Sequence, residues 1–314
     1  MRAVRWPGGE RPPREPSVVT LGVFDGVHRG HAEVIRQVVR AARERSCRSA
    51  LVTFDRHPAA VLSEEPLPAI TSLAHRARLF EGFGVQLCVV VEFTPEVADV
   101  TAADFAAAVF RDLLAAELVI LGYDCRFGRA REGDVALCVE LGAAMGFEVR
   151  AVPPVEVDGR PISSTAIREA VRAGEFGRAA RLLGRPFSLY GTVVAGDARG
   201  KGLGYPTANL DLHNEALPPE GVYAGWAFLD AERVPAVLSV GRRETFRREP
   251  TAQTVVEVHL IGRREDLYGR DLEARFVKRL RDQQAFGSAE ELQAQMARDV
   301  EAARQTLERN PGEP

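Results

Sequence analysis

Two histidines stand three residues apart in GVFDGVHRGH, Gly22 to His31, directly after the apolar run Val18-Val19-Thr20-Leu21. Gly22, Gly26 and Gly30 let the backbone approach a ligand closely and take positive φ. His28 and His31 fall where the next helical pattern exposes its first N–H groups, a natural anion site. A second segment, ISSTAIR, places Ser163, Ser164 and Thr165 at a helix start with Arg168 one turn later. Capping needs one hydroxyl. Three hydroxyls and a guanidinium also suit phosphate oxygens.

Different chemistry is spelled out further along. GDARGKGLGYPTANL carries Gly196, Arg199, Gly200, Lys201, Gly202 and Gly204 in one arch. The spacing is not that of a P-loop, and a solvated basic hairpin reads the same way. In PTAN, Thr207 and Asn209 alternate to one side of an extended segment and offer two neutral oxygens. Magnesium on a nucleotide commonly takes one or two protein oxygens, with phosphates and water supplying the rest. In VVEVHL, Glu257 stands between Val256 and Val258. One strand face therefore carries a carboxylate, either as a reactive group or as an outward-facing position.

The elements that position these residues follow two grammars. Up to 186, short apolar runs alternate with helical patterns. SVVTLGVF, RSALVTFD, LCVVVEF, ELVILG and EVRAVPP read as strands. HAEVIRQVVRAARERS, TSLAHRARLFEGF, AADFAAAVFRDLLAA and GDVALCVELGAAMG read as helices. Thr101 and Asp104 form a capping box for the third of these. Such alternation predicts a parallel sheet with helices on both faces, whose ligands bind at the strands' carboxyl ends. From 187 to 314 the pattern predicts successive strands: LYGTVVAGD, GVYAGWAFLD, VPAVLSVG, TVVEVHLIG and DLEARFVKRL. SAEELQAQMARDVEAARQTLER then closes the chain as a helix with Ser288 and Glu291 as its capping box. A small six-stranded antiparallel barrel is expected, with RLLGRPF as the joint.

The 314 residues carry a formal net charge of -3, which argues against nucleic-acid binding through a bulk positive field. No apolar stretch approaches the ~20 residues that cross a bilayer, and the Pro/Arg-rich start lacks the apolar core of a secretion signal. Cys47, Cys88, Cys125 and Cys138 show neither metal nor disulfide spacing. A cytoplasmic protein with reduced thiols, a monomer or weak homo-oligomer, is expected.

HRGH after a first strand, together with the late ISSTAIR helix start, resembles the nucleotidylyltransferase superfamily. GVFDGVHRGH, VTFDRHP and GYDCRFGRAREGD resemble its bacterial flavin branch, the bifunctional riboflavin kinase and FAD synthetase. PTAN, GVYAG, VEVHL, DLYG and LRDQQAF resemble the kinase barrel of the same family. The resemblance implies a Rossmann-like first domain (1–186) and a kinase barrel (187–314) that turn riboflavin into FMN and FMN into FAD with ATP and Mg2+. It makes His28, His31 and Arg168 stabilisers of ATP phosphates and Glu257 the kinase base. Gly22, Phe24, Asp25, Gly26, Ser163, Ser164 and Thr165 would bind nucleotide in the first domain, and Gly196, Lys201, Gly204 and Thr207 in the second. Phe54, Asp55, His57, Asp124 and Arg281 would lie by flavin, and Thr207 and Asn209 by the metal. Most members carry proline where Arg56 stands, and Gly-Thr-Asn-Pro-Thr-Phe where this chain reads GRRETF, Gly241 to Phe246. The same residues also admit one surviving activity, adenylyl or cytidylyl transfer to another phosphorylated acceptor, or a non-catalytic flavin-binding protein.

Overall fold

The computed structural model describes residues 1–58, 67–195, 204–212, 216–230, 232–243 and 253–310. Gly196, Arg199, Gly200, Lys201, Gly202 and Glu244 lie outside them. The chain divides into two compact units, Met1–Ala69 with Leu73–Ser164 and Ile70–Ser72 with Thr165–Pro314.

In the first unit the apolar runs form strands buried on both faces, as parallel sheets require. These are β2 (Ser17–Leu21), β3 (Arg48–Phe54), β4 (Leu87–Val91), β5 (Ala116–Gly122) and β6 (Glu148–Val152). An edge strand, β1 (Arg2–Trp6), was not anticipated, because in RAVRW only Val4 is buried. The sheet is parallel throughout, in the order β1-β4-β3-β2-β5-β6. One face packs on α1 (Arg29–Glu44) and α2 (Leu73–Gly82) through Ile35, Val39 and Phe80. The other packs on α3 (Ala102–Phe105), its continuation, and α4 (Val135–Met145).

Thr101 caps α3 as expected, its Oγ1 accepting the Asp104 N–H at 3.1 Å. The expected single α-helix then departs from expectation, widening into a π-helix over Ala106–Leu113. The physical reason is the five-residue spacing of Phe105 and Phe110. A π-turn brings both to one side, where their rings meet edge-on at 5.7 Å and pack on Phe127.

Strand order sets where a ligand can enter. From β2 the chain adds β3 and β4 on one side, then crosses to β5 and β6 on the other. The crevice between the carboxyl ends of β2 and β5 is therefore the topological switch point. The loops that follow these two strands carry GVFDGVHRGH and GYDCRFGRAREGD.

A short hairpin, β7 (Glu156–Val157) with β8 (Arg160–Pro161), leads into α5 (Ser164–Arg172) and α6 (Phe176–Leu183). In the second unit Phe176 of α6 joins Phe187, Tyr223 and Phe276 in one ring cluster. β9 (Ser188–Val194), β10 (Ala208–Asp211), β11 (Gly221–Leu229), β12 (Glu232–Arg243), β13 (Gln253–Leu260) and β14 (Asp271–Arg281) close into a barrel, order β10-β13-β12-β11-β14-β9. Strand β12 continues through Arg242 and Arg243, past the expected end at Gly241. The closing helix, α7 (Ala289–Arg309), lays Ala303 and Leu307 on Ala224 and Ile261 of the barrel's outer face. Ser288 caps it as expected, accepting the Glu291 N–H at 3.2 Å.

Candidate active sites

Strand β2 ends at Leu21, earlier than the expected SVVTLGVF run, and Gly22 to His28 form a loop. Phe24, Gly26 and Val27 take positive φ there. For Phe24 and Val27 that conformation costs roughly 1–3 kcal/mol each, so the surroundings must hold it. Phe24 is buried, its ring edge-on to His31 at 5.2 Å and to Phe80 at 5.8 Å. His28 is the N-cap of α1, its Nδ1 accepting the backbone N–H of His31 at 3.3 Å, which leaves Nε2 as its donor. The two imidazoles stack with centroids 3.6 Å apart. Gly30 eases this, because a Cβ there would sit 3.1 Å from the His28 ring, close enough that the ring would have to give by a few tenths of an ångström. Ser164, the first residue of α5, donates its hydroxyl to the Asp25 carbonyl at 3.1 Å, bringing that helix start to the loop. Arg168 is buried one turn further on.

A cavity of about 540 Å³ opens between the β2 and β5 loops, within the range of small-molecule sites. Gly22, Phe24, Asp25, His31 and Ser164 line it, as do Phe54, His57 and Asp124. Asp55 is engaged beside it: one carboxylate oxygen accepts the N–H of Phe93 at 3.0 Å and that of Arg56 at 2.8 Å. The second of these bonds is one that a proline in place of Arg56 could not make. Cys125 also lines the cavity, but burial pushes its thiol up to about 12.

One residue that holds this site together escaped the sequence reading. Arg76 of α2 is 4 % exposed. Its Nη1 donates to the Val23 carbonyl at 2.6 Å and to Thr53 Oγ1 at 2.9 Å, and its Nη2 donates to the Phe54 carbonyl at 3.0 Å. It thus ties the loop after β2 to the end of β3. Burial lowers its guanidinium below the ordinary value, and the fields of Asp25, Cys88 and Asp55 oppose that. The signal was present: Leu73, Arg76 and Phe80 form one helical stripe.

In the barrel, Asn209 of β10, Glu257 of β13 and Ser239 of β12 are cross-strand partners in one row. Glu257 is half-buried between fully buried Val256 and Val258. Asn209 is 6 % exposed, and its Oδ1 finds no hydrogen-bond donor among the described residues. A buried amide oxygen left so is costly, and a ligand atom would relieve it. Gln283, in the expected LRDQQAF segment, donates to Ser239 Oγ at 2.9 Å and to the Val240 carbonyl at 3.0 Å. Gly204 has φ +85° and precedes half-buried Tyr205, Pro206 and Thr207. The Arg281 guanidinium is bidentate on buried Asp299 of α7, at 2.7 and 2.9 Å.

His259, also missed, lies two residues beyond Glu257 on the same strand. Its Nδ1 meets the Pro206 carbonyl at 2.8 Å, and since a carbonyl only accepts, Nδ1 carries the proton. Its ring packs edge-on to Tyr205 at 5.5 Å. Burial lowers its imidazole below the ordinary value, the bond to Pro206 opposing. A pKa depressed in the fold gives stability that is present above the unfolded value, about 6.5, and is lost as pH falls through the folded one. Thermal melts should therefore show a midpoint that drops on acidification below about pH 6.5. The drop should be smaller in His259→Gln, whose amide donates without titrating. Equal acid sensitivity in parent and variant would assign the loss elsewhere.

A glycine- and histidine-bearing loop at the switch point of a parallel sheet, carried in one chain with a barrel that aligns a carboxylate with a buried amide lacking a donor among the described residues, defines a two-module protein. The chain belongs to the bifunctional riboflavin kinase/FMN adenylyltransferase family: residues 10–166 match the FAD synthetase family and residues 183–307 the riboflavin kinase family. The bifunctional riboflavin kinase/FMN adenylyltransferase of Pseudomonas fluorescens is 36% identical over 304 residues, covering 97% of both chains. That of Escherichia coli K12 is 35% identical over 295 residues, covering 93% of both. A solved structure described as a macrolide-efflux protein from Streptococcus pneumoniae matches with a TM-score of 0.78 at 33% identity, covering 94% of this chain and 96% of its own. Among the described residues of this chain, no helix is long and apolar enough to cross a membrane.

Proposed function

We propose that the chain phosphorylates riboflavin to FMN with ATP and then joins FMN to the adenylyl group of a second ATP, giving FAD and diphosphate. The observation that carries this reading is the contrast between the two sites. In the kinase step a ribityl hydroxyl attacks the γ-phosphorus, the bond from that phosphorus to the β-bridging oxygen breaks, and ADP leaves. An alcohol is barely ionised at neutral pH, so a base at its proton is needed. Glu257 is that base. In the adenylyl step an FMN phosphate oxygen attacks the α-phosphorus and diphosphate leaves. That nucleophile is already an anion and requires no base, only neutralisation of crowded charge.

His28, His31, Ser163, Ser164, Thr165 and Arg168 are assigned to the triphosphate of the adenylyl donor. Gly22, Phe24, Asp25 and Gly26 shape its pocket. Phe54, His57 and Asp124 line the flavin side, with Asp55 positioning their loop. In the barrel, Gly204 and Thr207 serve the nucleotide, as do Gly196 and Lys201 beyond the described residues. Thr207 and Asn209 hold Mg2+, and the orphaned Asn209 oxygen beside the Glu257 carboxylate suits a hard cation. Bound there, the ion neutralises phosphate charge. Arg281 fixes α7 to the barrel next to the flavin side. The functional boundary is placed at 186/187, and the protein works in the cytoplasm as a monomer or weak homo-oligomer, with its four cysteines reduced.

Incubating the full chain with riboflavin, ATP and magnesium and following flavins by chromatography tests the proposal. FMN should rise first and FAD follow at its expense. FMN that accumulates without FAD, or riboflavin that stays unconverted, would remove one half of the function.

A further inference from the structure

The β2 side of the cavity accounts for the donor's triphosphate, yet the acceptor is an anion too. Phe54, Phe93, Phe105 and Phe127 give the cavity apolar walls suited to a flat ring, while Asp25 and Asp124 would repel a phosphate. On the β5 side stand two further arginines. Arg126 and Arg131 line the cavity and are exposed at its rim. Among the described residues neither forms an ion pair, and Arg126 donates only to the adjacent Cys125 carbonyl, at 3.0 Å.

The turn that presents them is firmly held. Gly128, Ala130 and Arg131 all take positive φ, at 73°, 50° and 62°. Phe127 and Gly133 exchange backbone bonds of 3.0 and 2.8 Å, and Arg129 donates its N–H to the Val100 carbonyl at 2.7 Å. The Glu132 carboxylate accepts the Ala102 N–H at 2.8 Å. Gly128 cannot be replaced here, because a Cβ would lie 2.5 Å from the Ala102 nitrogen. Backbone strain kept in place by surrounding bonds at the mouth of a cavity is characteristic of ligand clamps.

We infer that Arg126 and Arg131 bind the phosphate of the acceptor, so that the adenylyl site selects a phosphorylated flavin over riboflavin. Guanidiniums match phosphate oxygens in a fork, and their place on the loop after β5, while His31 follows the loop after β2, lets donor and acceptor anions be neutralised by separate groups. The inference rests on the adenylyl transfer proposed above.

The test uses the full chain carrying Arg126→Gln, Arg131→Gln or both, supplied with FMN, ATP and magnesium. KM for FMN should rise about tenfold or more for each loss, with KM for ATP unchanged and part of the loss recovered in Arg131→Lys. Inhibition by lumiflavin, a flavin ring with neither phosphate nor ribityl hydroxyl, should stay as in the parent. A parallel rise in KM for FMN and in the lumiflavin inhibition constant would show a damaged pocket and overturn the inference. So would a rise in KM for ATP instead, or no change at all. If the parent forms no FAD, the adenylyl reading fails separately, and fluorescence titration still decides this one: the variants must lose affinity for FMN and keep it for riboflavin.

Discussion

Replacing Glu257 with glutamine should lower FMN formation from riboflavin by about 10²–10⁴-fold, the usual contribution of a positioned base, while FAD formation from supplied FMN continues at the parental rate. The expectation follows from the barrel row. Glu257 directly opposes Asn209, whose buried oxygen has no donor among the described residues, and Ser239, which Gln283 holds. Glutamine preserves the volume and the hydrogen-bonding reach of the side chain but cannot take a proton, so the fold should be unaffected. KM for ATP should change little, because the missing interaction belongs to the reacting hydroxyl. Separate assays fed with riboflavin and with FMN check this. Loss of both activities in a folded variant would break the division of labour between the two sites.

The Arg76→Met variant should show the opposite selectivity. The substitution keeps much of the apolar stem but leaves the Val23 and Phe54 carbonyls and the Thr53 hydroxyl without the guanidinium that joins them. Thr53 Oγ1 still donates to the Val23 carbonyl at 3.1 Å, so the Phe54 carbonyl is the buried group deprived of its partner, and a loss of about 1–3 kcal/mol is expected in a chemical or thermal melt. Phe24 and Val27 then lose the support for their positive φ, and the His28–His31 stack that follows them shifts. A displacement of about 1 Å near reacting groups can cost 10²-fold, and FAD formation from FMN should fall by at least that much. Kinase activity should persist. Arg76→Lys should recover only a fraction, since one ammonium cannot reach all three acceptors in the plane a guanidinium spans. A variant that melts and adenylylates FMN like the parent would show that the staple is dispensable.

These two residues also mark how far the chain could be read before its structure. Glu257 stood out as a carboxylate between two valines, a pattern that an outward-facing strand position shares, and the roles expected of it and of the HRGH and PTAN segments came from the family resemblance. The alternation of apolar runs and amphipathic helices led to the parallel sheet, and the unbroken succession of strands after 187 led to the barrel. What stayed hidden depends on partners distant in sequence. Arginine is almost never fully buried without such partners, so Arg76 read as one more charge in a helix until Val23 and Thr53 were seen beside it. His259 looked like a strand residue until folding placed the Pro206 carbonyl against it. β1 was obscured because this edge strand fully buries one side chain, Val4, and carries Arg2 and Arg5 at exposed positions. The π-turn needed Phe105 and Phe110 to be known as neighbours in the core, which helical periodicity of 3.6 forbids.

Under the proposed scheme one chain acts on two different phosphorus atoms of ATP. Supplying riboflavin and magnesium with ATP labelled at either the γ- or the α-phosphorus separates the two reactions. The γ-label should enter FMN and remain in the flavin half of FAD, whereas the α-label should be absent from FMN and appear in FAD. An α-label that never reaches flavin, or that appears already in FMN, would rule out this pair of reactions.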